Sequence, residues 1–222
     1  MKSKKKSLVI SGIIALYFLL NTLSVLAAPP DNYTCKLSFM GMAMPMAKMG
    51  NKTRVDSVMF ADLVTVTLMD QNKTINMNTK NKTYFEHALQ ERMPSIYNPK
   101  TVIEKKKIGQ ETIDGHPCLK YSAVFYSKDK PQEKFSAILW EAQDLGGLPI
   151  KSEVTIPAEK RREGGPDKFV SEMKEIKVGA AKPSLFEVPK DYKKVASMQE
   201  VMGMGQGNMG EMMKQMQKKG KQ

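Results

Sequence analysis

The chain has 222 residues, 41% of them hydrophobic, and carries 35 Lys and Arg against 23 Asp and Glu, a net charge of +12. That length fits one domain of ordinary size plus tails and is enough to bury a real core. A basic surface suits anionic membranes, cell-wall polymers or nucleic acid, but the first 27 residues argue against the last of these.

Residues 1–27, MKSKKKSLVISGIIALYFLLNTLSVLA, begin with Lys2, Lys4, Lys5 and Lys6, continue through an apolar run from Leu8 to Leu20, and reach small residues at Ala27. This is the pattern of a secretory signal peptide. The run is broken by Ser11 and Gly12 and is shorter than the roughly 20 residues that a membrane span needs. No Cys follows the expected cleavage point, so no lipid anchor is expected. Losing four lysines and no acid leaves 31 basic and 23 acidic residues, or +8. The expectation is an exported chain starting near Ala28, in the periplasm or envelope of a bacterium.

Cys35 and Cys118 are the two cysteines. In an oxidising compartment they suggest one disulfide. Directly after the first lies FMGMAMPMAKM, in which Met40, Met42, Met44 and Met46 occupy every second position. On a strand these four point the same way over roughly 20 Å. Three readings are open: an apolar face for a greasy ligand, since unbranched Met fits varied shapes; a Cu(I) site, since thioethers are soft donors, with Met40, Met42, Met44 and His116 as its ligands; or filler. The spread is too long for all four sulfurs to meet one ion, and the first reading is preferred.

Short Asn-Lys turns follow, GNKT at 50–53, QNKT at 71–74 and KNKT at 80–83. Each also matches a glycosylation acceptor, incidental in a bacterium. They separate RVDSVMF, LVTVTLM, TINMNT and TYFEHAL, which read as strands by their β-branched and aromatic content. The stretch EHALQERMPSIYNPKTVIEKK is less strand-like and is expected to form a short helix or crossing loop. The second half then repeats the hairpin pattern: IGQETI, the turn DGHP, CLKYSAVFYS, KFSAILWEA, the turn DLGG, LPIKSEVTIP and KFVSEMKEIKV. Alternation in the last of these predicts an antiparallel meander with one wet face.

Three segments in this order, ETIDGHPCLKYSAVF, ILWEAQDLGGLPIKSE and PSLFEVPKDYKKV, resemble landmarks of exported bacterial proteins with the lipoprotein-carrier, or LolA-like, fold. The matching residues are Gly115, Cys118, Lys120 and Tyr121; Trp140, Ala142, Asp144, Leu145, Leu148 and Pro149; and Leu185, Phe186, Pro189 and Tyr192. The resemblance covers about residues 33–193. It implies a mainly β fold, a curved antiparallel sheet forming an incomplete barrel, with short helical or loop segments across its concave face. In carrier relatives, which include outer-membrane lipoprotein-sorting proteins, that concavity holds acyl chains.

A catalytic constellation is not expected. His87 and His116 fall in no zinc pair or nucleophile elbow. Asp114, His116 and Cys118 share a turn, but a hairpin leading into a disulfide Cys accounts for them more simply. No cofactor is expected. The tail, MQEVMGMGQGNMGEMMKQMQKKGKQ, places Met209, Met212, Met213 and Met216 at helical spacing, yet Gly203, Gly205, Gly207 and Gly210 weaken a helix by about 1 kcal/mol each.

The organisation expected is a signal peptide at 1–27, a LolA-like β domain at 28–195 and a flexible Met/Gly/Lys-rich tail at 196–222. The function expected is a monomeric, non-catalytic envelope protein. It binds a hydrophobic or lipid-like ligand on a cavity lining of Phe39, Met40, Met42, Met44, Met46, Val64, Val66, Leu68 and Trp140, and contacts membranes through its basic charge and tail. The alternatives are a periplasmic Cu(I)-binding protein and a structural envelope protein with a filled interior.

Overall fold

A computed structural model of the chain describes residues 28–39, 41–60, 62–90, 94, 96, 98, 100–161 and 164–203. The leader, Met40 and the Met-rich run beyond Gly203 lie outside the described residues.

Twelve strands follow in chain order: β1 (Asn32–Phe39), β2 (Met42–Met49), β3 (Lys52–Asp56), β4 (Leu63–Leu68), β5 (Lys73–Asn78), β6 (Thr83–Ala88), β7 (Thr101–Ile113), β8 (His116–Ser127), β9 (Phe135–Ala142), β10 (Leu148–Thr155), β11 (Lys168–Val178) and β12 (Lys193–Lys194). Among the described residues, helical structure is limited to short 3-10 turns and the four-residue α1 (Met198–Val201). The strands form one sheet in the order β12-β6-β5-β4-β3-β2-β1-β11-β10-β9-β8-β7. Every pair is antiparallel except β12 with β6, which is parallel. The sheet is open, with β12 and β7 as its edges. The mainly β, incomplete-barrel architecture is therefore the one the sequence implied.

The hairpins follow from their turn residues. Asp114 and Gly115, between β7 and β8, both take positive φ, 48° and 84°, the conformation that lets a two-residue loop match strand twist and that Asp-Gly favours. Asn72 closes the QNKT turn with φ 49°, a left-handed position that Asn tolerates. RVDSVMF departs from expectation. β3 stops at Asp56 and β4 begins at Leu63, and residues 57–60 and 62 form an outward tip rather than strand. The expected helix or crossing loop also shortens, because β6 runs through Ala88 and β7 begins at Thr101.

That crossing shows why the sheet curls. Ten strand spacings separate β6 from β7 in the sheet order, about 48 Å if the sheet lay flat at about 4.8 Å per spacing. The residues joining Ala88 to Thr101 reach roughly 45 Å even when fully extended. Twist acts in the same sense. At about 20–25° per neighbour, β8 is turned by roughly 150° from β4, seven spacings away. A cleft of about 450 Å³ accordingly has Asn51, Met69, Asn72 and Leu89 on one side and Lys100 and Ser127 on the other. The long edge strand β7 carries Lys105, Lys106 and Lys107 and a register irregularity before Gly109, features that discourage pairing with another chain.

The core has three parts. Tyr33, Cys35, Met46, Cys118, Trp140 and Met173 belong to one, at the middle of the sheet where β1 and β10 carry bulges. Phe125, Phe135, Ala137 and Leu139 belong to a second, with Ile96 of the crossing and Ile103 against it. In the third, Val64, Val66, Leu68, Ile75 and Met77 on β4 and β5 are covered by Ala181, Leu185, Phe186, Val188 and Tyr192. This covering strap crosses back from β11 and is tied at both ends. Asn32 Nδ2 donates to Ala181 O (3.2 Å) while Ala181 N donates to Asn32 Oδ1 (3.0 Å). Tyr84 O accepts from Val195 N (2.9 Å). In between, Arg54 Nη1 donates to Leu185 O (3.1 Å) while its Nε and Nη2 hold Asp56 at 2.7 and 3.2 Å.

Hydrogen bonds to a charged group contribute about 1.5–3 kcal/mol. Arg54→Ala is expected to destabilise the protein by about 2 kcal/mol, measured as a lower urea midpoint at unchanged slope. A variant within about 0.5 kcal/mol of the parent would show that Arg54 does not hold the strap.

Candidate ligand-binding face

The Met stripe is a single strand face. Met42, Met44 and Met46 alternate along β2 and stand opposite Phe39, Leu37 and Cys35 of β1. β1 in turn pairs Leu37 with Met173 of β11, and β2 pairs Met46 with Val55 of β3. The ring of Phe39 lies 5.6 Å from that of Phe169. The strip is graded. Met46 and Met173 are buried in the central core, whereas Phe39, Met42 and Met44 toward the other end of β2 are half-buried.

The remaining expected lining residues part company with the stripe. Val55, opposite Met46, pairs with Thr65, while Arg54 and Asp56 pair with Val66 and Val64. Val64, Val66 and Leu68 therefore face the other way, beneath the strap. The stripe face continues across β4 to β6 as polar residues that the sequence reading passed over. Thr65 Oγ1 donates to Asn76 Oδ1 (2.9 Å), and Asn76 Nδ2 meets His87 Nε2 at 2.9 Å, with His87 Nδ1 2.8 Å from Ala88 O. The signal was present in LVTVTL and TINMN, where Thr and Asn alternate with Val, Ile and Met.

Trp140 shares the central core with Met46, but its indole is closed off. Lys120 and Lys151, its cross-strand partners, set their ammonium groups 4.7 and 4.9 Å from the ring centroid. Nε1 donates to Glu111 Oε2 at 2.8 Å. The indole bond, with Lys120 and Lys151 nearby, holds the Glu111 carboxyl below its usual range. Such cation–ring contacts stabilise a sheet face and do not open a cavity.

The cysteines correct the expected bridge. Both are free and buried. β9, β10 and β11 lie between β8, which carries Cys118, and β1, which carries Cys35. The curl of the sheet brings both into the same central core, where the two thiols remain unpaired. Burial pushes the Cys35 thiol up to about 12 and raises Cys118 as well. Neither is poised as a thiolate nucleophile.

The DGHPC turn also disperses. Asp114 Oδ2 accepts from Glu175 N (2.9 Å), His116 Nδ1 meets Asp144 Oδ2 (2.8 Å), and Cys118 Sγ donates to the backbone O of His116 (3.4 Å). Three groups close in sequence serve three different partners. Among the described residues no three His, Cys, Asp or Glu gather as a metal site, and no helix is long and apolar enough to cross a membrane. A second cleft, of about 270 Å³, lies beside the strap, where Cys35, Pro45, Met46, Ala47 and Leu185 meet a rim of Lys36, Arg54, Asp56, Glu175 and Lys177.

No family model matches the chain, and no characterised protein matches it by sequence. Solved structures that are similar to it include LppX, a lipoprotein of Mycobacterium tuberculosis, with TM-score 0.41, 8% identity, and 69% of this chain and 89% of that one covered. The MucA/MucB complex of Pseudomonas aeruginosa matches with TM-score 0.43, 13% identity, and 75% and 58% covered. A LolA superfamily protein of Nitrosomonas europaea matches with TM-score 0.32, 10% identity, and 73% and 91% covered. The chain also spans about a third of the length of PNGF-II, at TM-score 0.37 and 17% identity, with 78% of this chain and 32% of that one covered.

If the two thiols are unpaired as described, thiol labelling of oxidised, denatured protein without reductant should modify both Cys35 and Cys118. Recovery of unlabelled protein that gains two thiols on reduction would show the bridge.

Proposed function

We propose that this chain is an exported, non-catalytic envelope protein that binds an apolar or lipid-like ligand along the half-buried end of the Met stripe. The observation that carries the reading is the gradient of that strip: Phe39, Met42, Met44 and Phe169 stand together at its open end, continuous with the buried Met46 and Met173. Flexible thioethers beside paired rings accommodate varied apolar shapes at little cost. The occupant is a hydrophobe, and the polar row Thr65, Asn76 and His87 marks where the apolar path ends. The leader-like composition of residues 1–27 supports a role outside the cytoplasm.

Cu(I) is the rival, and one feature favours it: Met46 stands directly opposite Cys35, so a thiol joins the thioethers. Against it, burial keeps that thiol protonated, and a metal must displace the proton to bind.

Changing Met42 and Met44 together to Leu keeps volume and apolarity, so a fluorescent fatty-acid probe should bind within about threefold of the parent. Changing both to Asp places carboxylates on the strip at a desolvation cost of several kcal/mol, and probe binding should be lost. A parent that holds Cu(I) stoichiometrically against a chelator and ignores the probe would replace this reading with the copper one. Export is checked separately: protein recovered from the envelope should begin near Ala28, and membrane-held protein retaining Lys2 to Lys6 would overturn it.

A further inference from the structure

Among the described residues, the tip between β3 and β4 is the part of the sheet's rim where large apolar side chains are held outward together. Val58 and Met59 are 49% and 60% exposed, followed by Phe60, which is half-buried. Scattered exposed hydrophobes are ordinary, but these are consecutive and rigidly presented. Ser57 N donates to Leu63 O (2.8 Å), Leu63 N to Phe60 O (3.0 Å) and Phe60 N to Ser57 Oγ (3.2 Å), closing the tip on itself. Thr79 N donates to Asp62 O (2.8 Å), bracing the tip against the neighbouring turn between β5 and β6. The apolar groups are fixed in water by a hydrogen-bonded frame that spends none of them on the core.

The neighbouring turn between β5 and β6 carries Lys80 and Lys82, the latter paired with Asp191, while Asp56 and Asp62 flank the tip itself. Without its expected leader the chain has 31 basic and 23 acidic residues, or +8. An apolar projection beside lysines, on a basic chain, suits a surface that is negative at its headgroups and apolar just beneath them.

We infer that the β3–β4 tip is a membrane-docking element that inserts Val58, Met59 and Phe60 into the interface of an anionic bilayer, with the neighbouring lysines on the headgroups. It deepens the proposed function by giving the half-buried end of the Met stripe an orientation. Phe39 and Met42 stand at the β1–β2 turn, adjacent in the sheet to this tip and at the same end of the strands. Docking therefore turns the stripe's open end toward the lipid.

The test uses the chain from Ala28 to Gln222, which contains every described element, with folding of each variant checked by circular dichroism. The parent should co-sediment with vesicles of phosphatidylethanolamine and phosphatidylglycerol and remain in the supernatant with phosphatidylcholine alone. Val58→Ser with Met59→Ser should lower the partition coefficient on anionic vesicles at least about tenfold while leaving fatty-acid probe binding intact. Met59→Trp should add emission that shifts to the blue only with anionic vesicles. Three results would overturn the inference: a parent that ignores anionic vesicles; a double-Ser variant that binds them as well as the parent, which assigns the contact elsewhere, the Met-rich tail included; or a parent that is dimeric without lipid and becomes monomeric on the double-Ser change, which makes the tip a contact between copies. Loss of probe binding in a parent that still docks would instead strike the proposed ligand and leave the docking element standing.

Discussion

A strand has two sides, and one continuous sheet of twelve strands has two large faces for a single chain to cover. Everything else in this molecule depends on how that constraint is met. With few helices to lay across the sheet, the chain curls the sheet on itself and returns one irregular strap over β4 and β5. The curl builds the central core and brings turns from distant strands to opposite sides of one cleft. The strap dries the apolar face of the N-terminal half. Among the described residues, one end of the Met stripe and the β3–β4 tip are left partly uncovered.

The polar face of β4 to β6 shows the same constraint working the other way. Where no covering element is available, Thr65, Asn76 and His87 satisfy one another by hydrogen bonds across the strands, so that side needs no apolar lid. Trp140 is treated similarly on a smaller scale, its ring sealed by the ammonium groups of Lys120 and Lys151. Long lysines thereby do the shielding that a helix does in other sheets.

Much of this was legible in the sequence because it is local. The turn residues Asp114–Gly115 and Asn72 marked hairpins, and the ordered landmarks around Cys118, Trp140 and Leu185 indicated an incomplete barrel. What escaped was set by relations between strands. The grouping of Val64, Val66 and Leu68 with the stripe failed because one register step reverses a face, and register belongs to a pair of strands. The Cys35–Cys118 bridge was inferred from compartment and number, and neither fixes whether two thiols that the strands bring into one core will pair. SVMF was read as strand from its composition alone, since Val and Phe have the same propensity on a rim as inside a sheet.

The strap has a consequence for the order in which the molecule can be made. Strands β2 to β6 are joined by short hairpins, yet the apolar side of β4 and β5 is finished only by Ala181, Leu185 and Phe186, and Asn32 at the start of β1 is clamped by Ala181. A ribosome or a translocation pore delivers Leu63 to Met77 more than a hundred residues before their cover. Such long-range closure slows folding, and here it postpones the native state until almost the whole chain has emerged. Under the proposed export, late completion is an advantage: the N-terminal half stays pliable during transit and hardens only when the strap arrives behind it.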